Sequence, residues 1–263
     1  MADKFLIGCQ PQYFARVLVY ALGVEGPRHR VVFAPAGELA AALQDDQLDA
    51  ALISSIDYFR RPGLVLLPDV SVSGQGAAGC GLFVARTGMG NLRRVGVDPR
   101  EPSLAALAAI FLRESFGLRP EWVAASAAEA VEDKSLDGWV AAAEMGRPEP
   151  PAGMHVFDLG ELWWRLARLP FVYAVWATGA GTRLEGLDKD LLGAKREGLR
   201  RSGEVAEVEA RRLGVEQSEC LKSIGRFRYD LSRVELGGLQ TFYRYAVRAG
   251  LVHDGVALAM YRG

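Results

Sequence analysis

The chain has 263 residues, half of them hydrophobic and 24% charged, and its 31 basic and 32 acidic residues leave a net charge of −1. That length can bury a substantial core as one large domain or two small ones, and the charge balance gives no electrostatic reason to expect nucleic acid or an anionic membrane as partner. Cys9, Cys80 and Cys220 are scattered without metal-ligand or redox spacing, the N-terminal Met-Ala-Asp-Lys-Phe-Leu-Ile-Gly lacks the features of a leader, and no apolar run reaches the roughly 18 residues of a membrane span, so a cytoplasmic protein with reduced thiols is expected.

Phe5–Gly8 reads as a short apolar strand, and Tyr13–Leu22 carries Tyr13, Val17, Tyr20 and Ala21 at helical spacing. After the turn signal Gly26-Pro27, Arg30–Ala34 is predicted as a strand. An alanine- and leucine-rich helix over Gly37–Gln44 and an apolar strand over Leu48–Ile53 complete a β-α-β-α-β unit. The small, glycine-rich connector Ser71–Gly81 follows, and Gly81–Thr87 is expected to lead out of this lobe.

The same order then returns. Arg94–Val97 is a strand, and Ser103–Phe116 is a helix with Leu104, Leu107, Ala108 and Phe111 on one face. Trp122–Ala124, Ala127–Lys134 and Leu136–Ala142 read as strand, polar helix and strand. Leu48-Asp49-Ala50-Ala51-Leu52 and Leu136-Asp137-Gly138-Trp139-Val140 stand 88 residues apart, as do Ile7 and Val95. Val172–Ala177 is expected to lead back to the first lobe. Beyond it lie a charged helix over Asp188–Leu213 and a helix opened by the capping box Ser232-Arg-Val-Glu235. Leu239, Phe242, Tyr243, Ala246 and Val247 form the buried stripe of that last helix, and Gly250 ends it.

Two such halves predict an α/β protein of two lobes, each a parallel-rich sheet flanked by helices. Residues 1–84 with 177–263 form the first lobe, residues 85–176 the second, and a ligand cleft lies between them.

Ligands of open parallel sheets bind beyond the carboxyl ends of the strands, where helix N-termini present free N–H groups. The residues at those ends are the candidates for ligand contact. Gln10, Gln12 and Phe14 follow the first strand, Ser54 and Ser55 the third, Cys80 closes the connector, and Arg100 and Ser103 open the strong second-lobe helix. Ser55 and Ser103 would set hydroxyls beside helix N-terminal amides as a pair of carboxylate sites; singly, each reads equally well as a helix cap. Arg100 either adds charge to the second site or is solvated. Phe14 and Trp139 suit stacking on a flat or apolar ligand, or ordinary core packing. No Walker-type loop, paired-histidine metal motif or nucleophile elbow occurs, and His29, His155 and His253 lie far apart, so metal chemistry is not expected.

Several stretches resemble a known family. Ile7-Gly8, Leu48–Tyr58, Leu67-Pro68-Asp69, Phe157-Asp158-Leu159-Gly160-Glu161-Leu162-Trp163, Leu169–Trp176 and Gly238-Leu239 with Phe242 together look like the menaquinone-biosynthesis enzymes of the futalosine pathway, and within them the chorismate dehydratases. The resemblance spans nearly the whole chain. It implies a type II periplasmic-binding-protein-like fold, and elimination of water from chorismate to 3-enolpyruvylbenzoate without metal or organic cofactor. It also marks departures. The family's functional asparagine, in a Tyr-Leu-Asn-Ser loop, falls on Phe14, and Ala15 and Val17 replace the serine and the proline after it. The serine of a Gly-Pro-Val-x-Ser segment falls on Cys80, and a Ser-Arg-Thr-Ser turn becomes Arg100-Glu101-Pro102-Ser103. Gly138-Trp139-Val140 stands near the family's Gly-Asp-Ala, and the chain's one asparagine is Asn91. The catalytic histidine of the family's other branch, which makes 1,4-dihydroxy-6-naphthoate, has no counterpart.

Two functions follow as alternatives: a dehydratase acting on chorismate or a similar cyclic dicarboxylate, and a non-catalytic binding protein for a small cyclic or aromatic carboxylate. Either takes a small anionic ligand as partner, with no nucleic acid and no membrane, and a homodimer is compatible with both. A DNA-linked regulator would need a helix-turn-helix, for which the chain leaves no room.

Overall fold

Short apolar runs separated by alanine-rich helices settle into two sheets. A computed structural model describes residues 4–142 and 153–262; Met1-Ala2-Asp3, part of the N-terminus read above, lies outside them. The first lobe begins with β1 (Phe5–Cys9), α1 (Tyr13–Arg16), β2 (His29–Phe33), α2 (Ala36–Gln44), β3 (Ala50–Ser54), α3 (Ser55–Arg60) and β4 (Leu64–Gly74). The second holds β5 (Gly81–Ala85), β6 (Arg94–Val97), α4 (Pro102–Phe116), β7 (Glu121–Ala124), α5 (Ala127–Glu132), β8 (Gly138–Ala142), β9 (His155–Asp158) and α6 (Leu159–Ala167). The chain then returns through β10 (Phe171–Gly179) to α7 (Leu187–Arg200), α8 (Ser202–Leu213), α9 (Gln217–Ile224), β11 (Phe227–Arg228) and α10 (Arg233–Ala249).

Strand order is β11-β4-β10-β3-β1-β2 in the first sheet and β7-β6-β8-β5-β9 in the second. In each sheet three parallel strands, β2-β1-β3 or β7-β6-β8, meet a fourth that runs antiparallel, β10 or β5. Both sheets are therefore mixed rather than parallel throughout. The fourth strand is in each case laid down by chain arriving from the other lobe, which enters the sheet in the reverse sense.

The two crossings consequently precede the segments expected to make them. Gly81–Ala85 already belongs to the second sheet and Phe171–Gly179 to the first, so the expected boundaries at 84/85 and 176/177 fall inside β5 and β10. The first part of the expected connector is strand as well: Ser71–Gly74 ends β4, pinned between β10 and β11, and Ser71 Oγ donates to the Asp230 carbonyl at 2.6 Å.

Two helices end earlier than their patterns predict. After α1 the chain continues in tight turns, with Leu18 N–H donating to Ala15 O and Val19 N–H to Arg16 O, rather than as a helix to Leu22. This backbone lies against α7, where a Cβ on Gly198 would stand 1.9 Å from Val17 O. The helix read over Asp188–Leu213 breaks at Arg201, giving α7 and α8.

The framework stretches meet in one aromatic core. Trp163 of α6 stands edge-on to Phe171 of β10 and to Phe242 of α10, and those two rings meet at 5.1 Å and 90°. Edge-to-face contacts of this kind add to the burial of three large side chains.

Candidate functional site

The carboxyl ends of the first-lobe strands and the N-terminus of α4 face one cavity, of about 750 Å³ with its open mouth included. Seven of the nine expected residues line it: Gln10, Gln12, Phe14, Ser54, Cys80, Arg100 and Ser103. Gln10 is buried and fixed, its Nε2 donating to the Leu52 carbonyl at 3.1 Å. The buried Oε1 of Gln12 has no hydrogen-bond partner among the described residues.

Ser55 and Trp139 are not in the lining. Ser55 Oγ is turned into the sheet, donating to the Val172 carbonyl at 2.5 Å. The cap of α3 is Ser54, whose Oγ accepts from Asp57 N–H at 3.2 Å and donates to the Asp57 carboxylate at 2.7 Å. The first turn of α3 thus carries a carboxylate of its own, Asp57, hydrogen-bonded to the cap hydroxyl. Trp139 alternates to the far face of β8, where it packs with Val84, Ala130 and Leu136 under the Arg86 guanidinium, 5.0 Å from the ring centroid.

Ser103 sits just inside α4, which begins with Pro102 at its first position. Its Oγ accepts from Ile56 N–H at 3.5 Å, a long contact that spans the two lobes. Arg100 does not bring free charge: its Nε and Nη2 grip Asp98, with Nη2 at 2.6 Å, and hold that carboxyl below its ordinary range.

Four further lining residues carry the chemistry that strand ends alone do not point to. Tyr173 of β10 and Tyr13 of α1 add phenols, Glu101 precedes α4, and Arg212 ends α8. Burial pushes Tyr173 and Cys80 far above their ordinary range, and the neighbouring Cys80 and Asp158 raise Tyr173 further. Burial first, then the neighbouring thiols, does the same to Tyr13. All three stay protonated across neutral pH and can donate hydrogen bonds without adding negative charge.

Room for the Tyr173 hydroxyl is made by Gly160 of α6, where a Cβ would stand 2.5 Å from that hydroxyl and from the Gly76 carbonyl. Asp158 caps α6 by accepting from Glu161 N–H at 3.0 Å, and it holds the crossing chain by accepting from Gly79 N–H at 2.8 Å. The Phe-Asp-Leu-Gly-Glu-Leu-Trp stretch therefore shapes the cavity from behind its wall. Phe14 forms an apolar wall with Phe227, their rings 4.7 Å apart, and Tyr13 stands edge-on at 5.3 Å. Tyr173 lies within a stretch that carries the family resemblance, whereas Arg212 comes from a helix some two hundred residues from the first-strand loop and gives no signal in the sequence.

Residues 7–248 match the family described as menaquinone biosynthesis. A chorismate dehydratase of Thermus thermophilus is 31% identical over 247 residues, covering 86% of this chain and 89% of that protein. Among solved structures, one Archaeoglobus fulgidus protein superposes with a TM-score of 0.75 at 16% identity, over 95% of this chain and 99% of its own. The periplasmic aliphatic sulphonate binding protein of Escherichia coli does so with a TM-score of 0.67 at 15% identity, over 98% and 96%. The fold is that of the periplasmic binding proteins, and the chain belongs to the menaquinone-biosynthesis family. No helix among the described residues is long and apolar enough to cross a membrane.

Proposed function

We propose that the chain is a cytoplasmic lyase of the futalosine pathway that closes on chorismate between its lobes and eliminates water to give 3-enolpyruvylbenzoate. The observation that carries the reading is the pairing of that family membership with a cavity whose inner wall holds neutral donors, Tyr173 and Cys80, opposite the N-terminus of α4. The three cysteines, all buried and free, fit a cytoplasmic setting.

The reaction asks little of side chains as reagents. A ring C–H bond and the C–O bond of the ring hydroxyl break, the C–H electron pair completes the aromatic sextet, and the proton and hydroxide leave together as water. The protein orients the substrate, excludes bulk solvent and stabilises the departing hydroxyl. Tyr173 is the donor best suited to that hydroxyl, because its burial keeps the phenol protonated. Phe14 and Tyr13 offer a wall against which the flattening ring can lie.

A second reading, a binding protein for a cyclic or aromatic carboxylate, is favoured by one observation. Where the resemblance implies a functional asparagine, Phe14 contributes only ring surface. Incubating purified protein with chorismate, with products followed by liquid chromatography and mass detection, separates the two. Loss of one water, abolished by filling the cleft with Ser103→Trp, supports the lyase. Unchanged chorismate together with a thermal shift on its addition overturns it in favour of the binding protein.

A further inference from the structure

We infer that Gln12, in the loop between β1 and α1, is the acceptor that selects a hydroxyl-bearing ligand, taking the hydroxyl hydrogen on its Oε1; this rests on the reading of the cavity as the site of a small cyclic acid.

Several polar groups of the cavity wall are already committed to the protein. Gln10 Nε2 donates to the Leu52 carbonyl at 3.1 Å, and Ser103 Oγ accepts from Ile56 N–H at 3.5 Å. Ser54 Oγ is engaged twice by Asp57, accepting from its N–H and donating to its carboxylate. Others are donors. The Tyr173 phenol and the Cys80 thiol keep their protons, and they suit the oxygen acceptors of a ligand rather than its hydroxyl hydrogens. Gln12 is different. Of the buried side-chain polar atoms without a hydrogen-bond partner among the described residues, only Gln12 Oε1 lies on this cavity. A buried acceptor without a donor carries the cost of its lost hydration. A ligand O–H relieves that cost, and an analogue without the O–H leaves it in place.

The backbone around Gln12 is fixed while its side chain is left to the cavity. Gln12 occupies the N-cap position of α1 with extended backbone angles, yet its side chain makes no capping hydrogen bond. The helix is served by main chain instead, since the Gln12 carbonyl accepts from Ala15 N–H at 2.9 Å and from Arg16 N–H at 3.2 Å. The preceding carbonyl, that of Pro11, accepts from Arg16 Nε at 3.2 Å and from Arg212 Nη2 at 3.5 Å. A side chain carried on a loop pinned in this way loses little further freedom when a ligand pairs with it.

The test is binding, read by titration calorimetry on the full chain. It compares 3- and 4-hydroxybenzoate with 3- and 4-methylbenzoate, which match them in shape and charge but carry no donor on the substituent. The wild type is expected to bind at least one hydroxy acid about 10-fold or more tightly than its methyl counterpart. Gln12→Met keeps the length of the side chain, removes the acceptor and is expected to lose that preference. Its melting temperature should not fall, because Gln12 Oε1 has no partner among the described residues to give up. A residue that merely supported the fold would do the reverse, lowering stability and leaving the preference intact. Gln12→Glu retains an acceptor and is expected to keep the preference while binding all four anions more weakly through charge repulsion. Equal binding of hydroxy and methyl acids by the wild type, an unchanged preference in Gln12→Met, or no binding of any of the four overturns the inference. Turnover is not measured, so a Gln12-dependent preference in a protein that leaves chorismate intact refutes the lyase and not Gln12. Conversion of chorismate alongside equal binding refutes Gln12 and not the lyase.

Discussion

Asp49 and Asp137, 88 residues apart, make the same contact in the two lobes. Asp49 accepts from Leu6 N–H at 2.7 Å through its carboxylate and donates its own N–H to the Leu6 carbonyl at 2.9 Å. Asp137 accepts from Arg94 N–H at 2.9 Å and donates to the Arg94 carbonyl at 2.9 Å, and it takes the Arg93 N–H at 2.7 Å as well. Each aspartate thus ties the entry of one parallel strand to its neighbour, β3 to β1 and β8 to β6. Strand register repeats with the same offset: Ile7 faces Ala50 as Val95 faces Gly138.

Removing either carboxylate strands backbone N–H groups at a strand edge, at about 1.5–3 kcal/mol for each hydrogen bond to a charged group. Asp137→Ala, which frees two such groups, is expected to destabilise more than Asp49→Ala, which frees one. The sites lie in different sheets and share no partner, so the double variant should show the sum of the single losses. Urea denaturation of the three variants checks both points, and a strongly non-additive double would show that the two contacts are energetically coupled.

The internal repeat was legible because a two-lobe sheet protein writes its register twice, and Asp49 with Asp137 marks it. The ends of the parallel strands were legible for the same reason, which is why Gln10, Ser54 and Ser103 lie on one cavity. What a single strand pattern does not carry is which face a residue takes. Trp139 turns to the helix layer of its lobe, and Ser55, one residue beyond the cap, turns into the sheet. Nor does local pattern reveal partners from distant helices, such as Arg212.

Gly160 sits where two fixed atoms leave no room for a methyl group, the Gly76 carbonyl and the Tyr173 hydroxyl, each 2.5 Å from an added Cβ. Gly160→Ala is expected to cost about 1–3 kcal/mol through overpacking. It should also weaken ligand binding, because relief of the clash moves Tyr173 in the cavity wall. Thermal melting with and without chorismate reads both effects; a variant as stable as wild type would show that α6 can shift without strain.

The buried thiols set an alkaline limit. Burial pushes Cys220 from its ordinary 9.0 up to about 11 and Cys9 up to about 12. The folded chain therefore holds these protons after the unfolded chain has released them, so the contribution is intact below about pH 9 and is lost as pH rises toward 11 and 12. Denaturation midpoints should fall from pH 9 to 11, and less steeply in Cys220→Ala. The same burial predicts slow native-state reaction of all three cysteines with thiolate-directed reagents at pH 8.

Phe14 stands where the family resemblance implies an asparagine, so restoring that residue is the direct test of whether the ring obstructs or replaces it. The ring is 8% exposed and packs on Phe227 at 4.7 Å and Tyr13 at 5.3 Å, so Phe14→Asn removes buried apolar surface and leaves a space beside two aromatic rings. A loss of about 3–5 kcal/mol is expected from that cavity, measured by chemical denaturation. Activity per folded molecule should not rise if the proposed reading holds, because Tyr173 and Cys80 already place protonated donors on the inner wall and the ring is then the face against which a planar product would lie. A gain in chorismate turnover by Phe14→Asn, corrected for its folded fraction, would show the opposite: that the aromatic wall suppresses a dehydratase whose remaining machinery is intact.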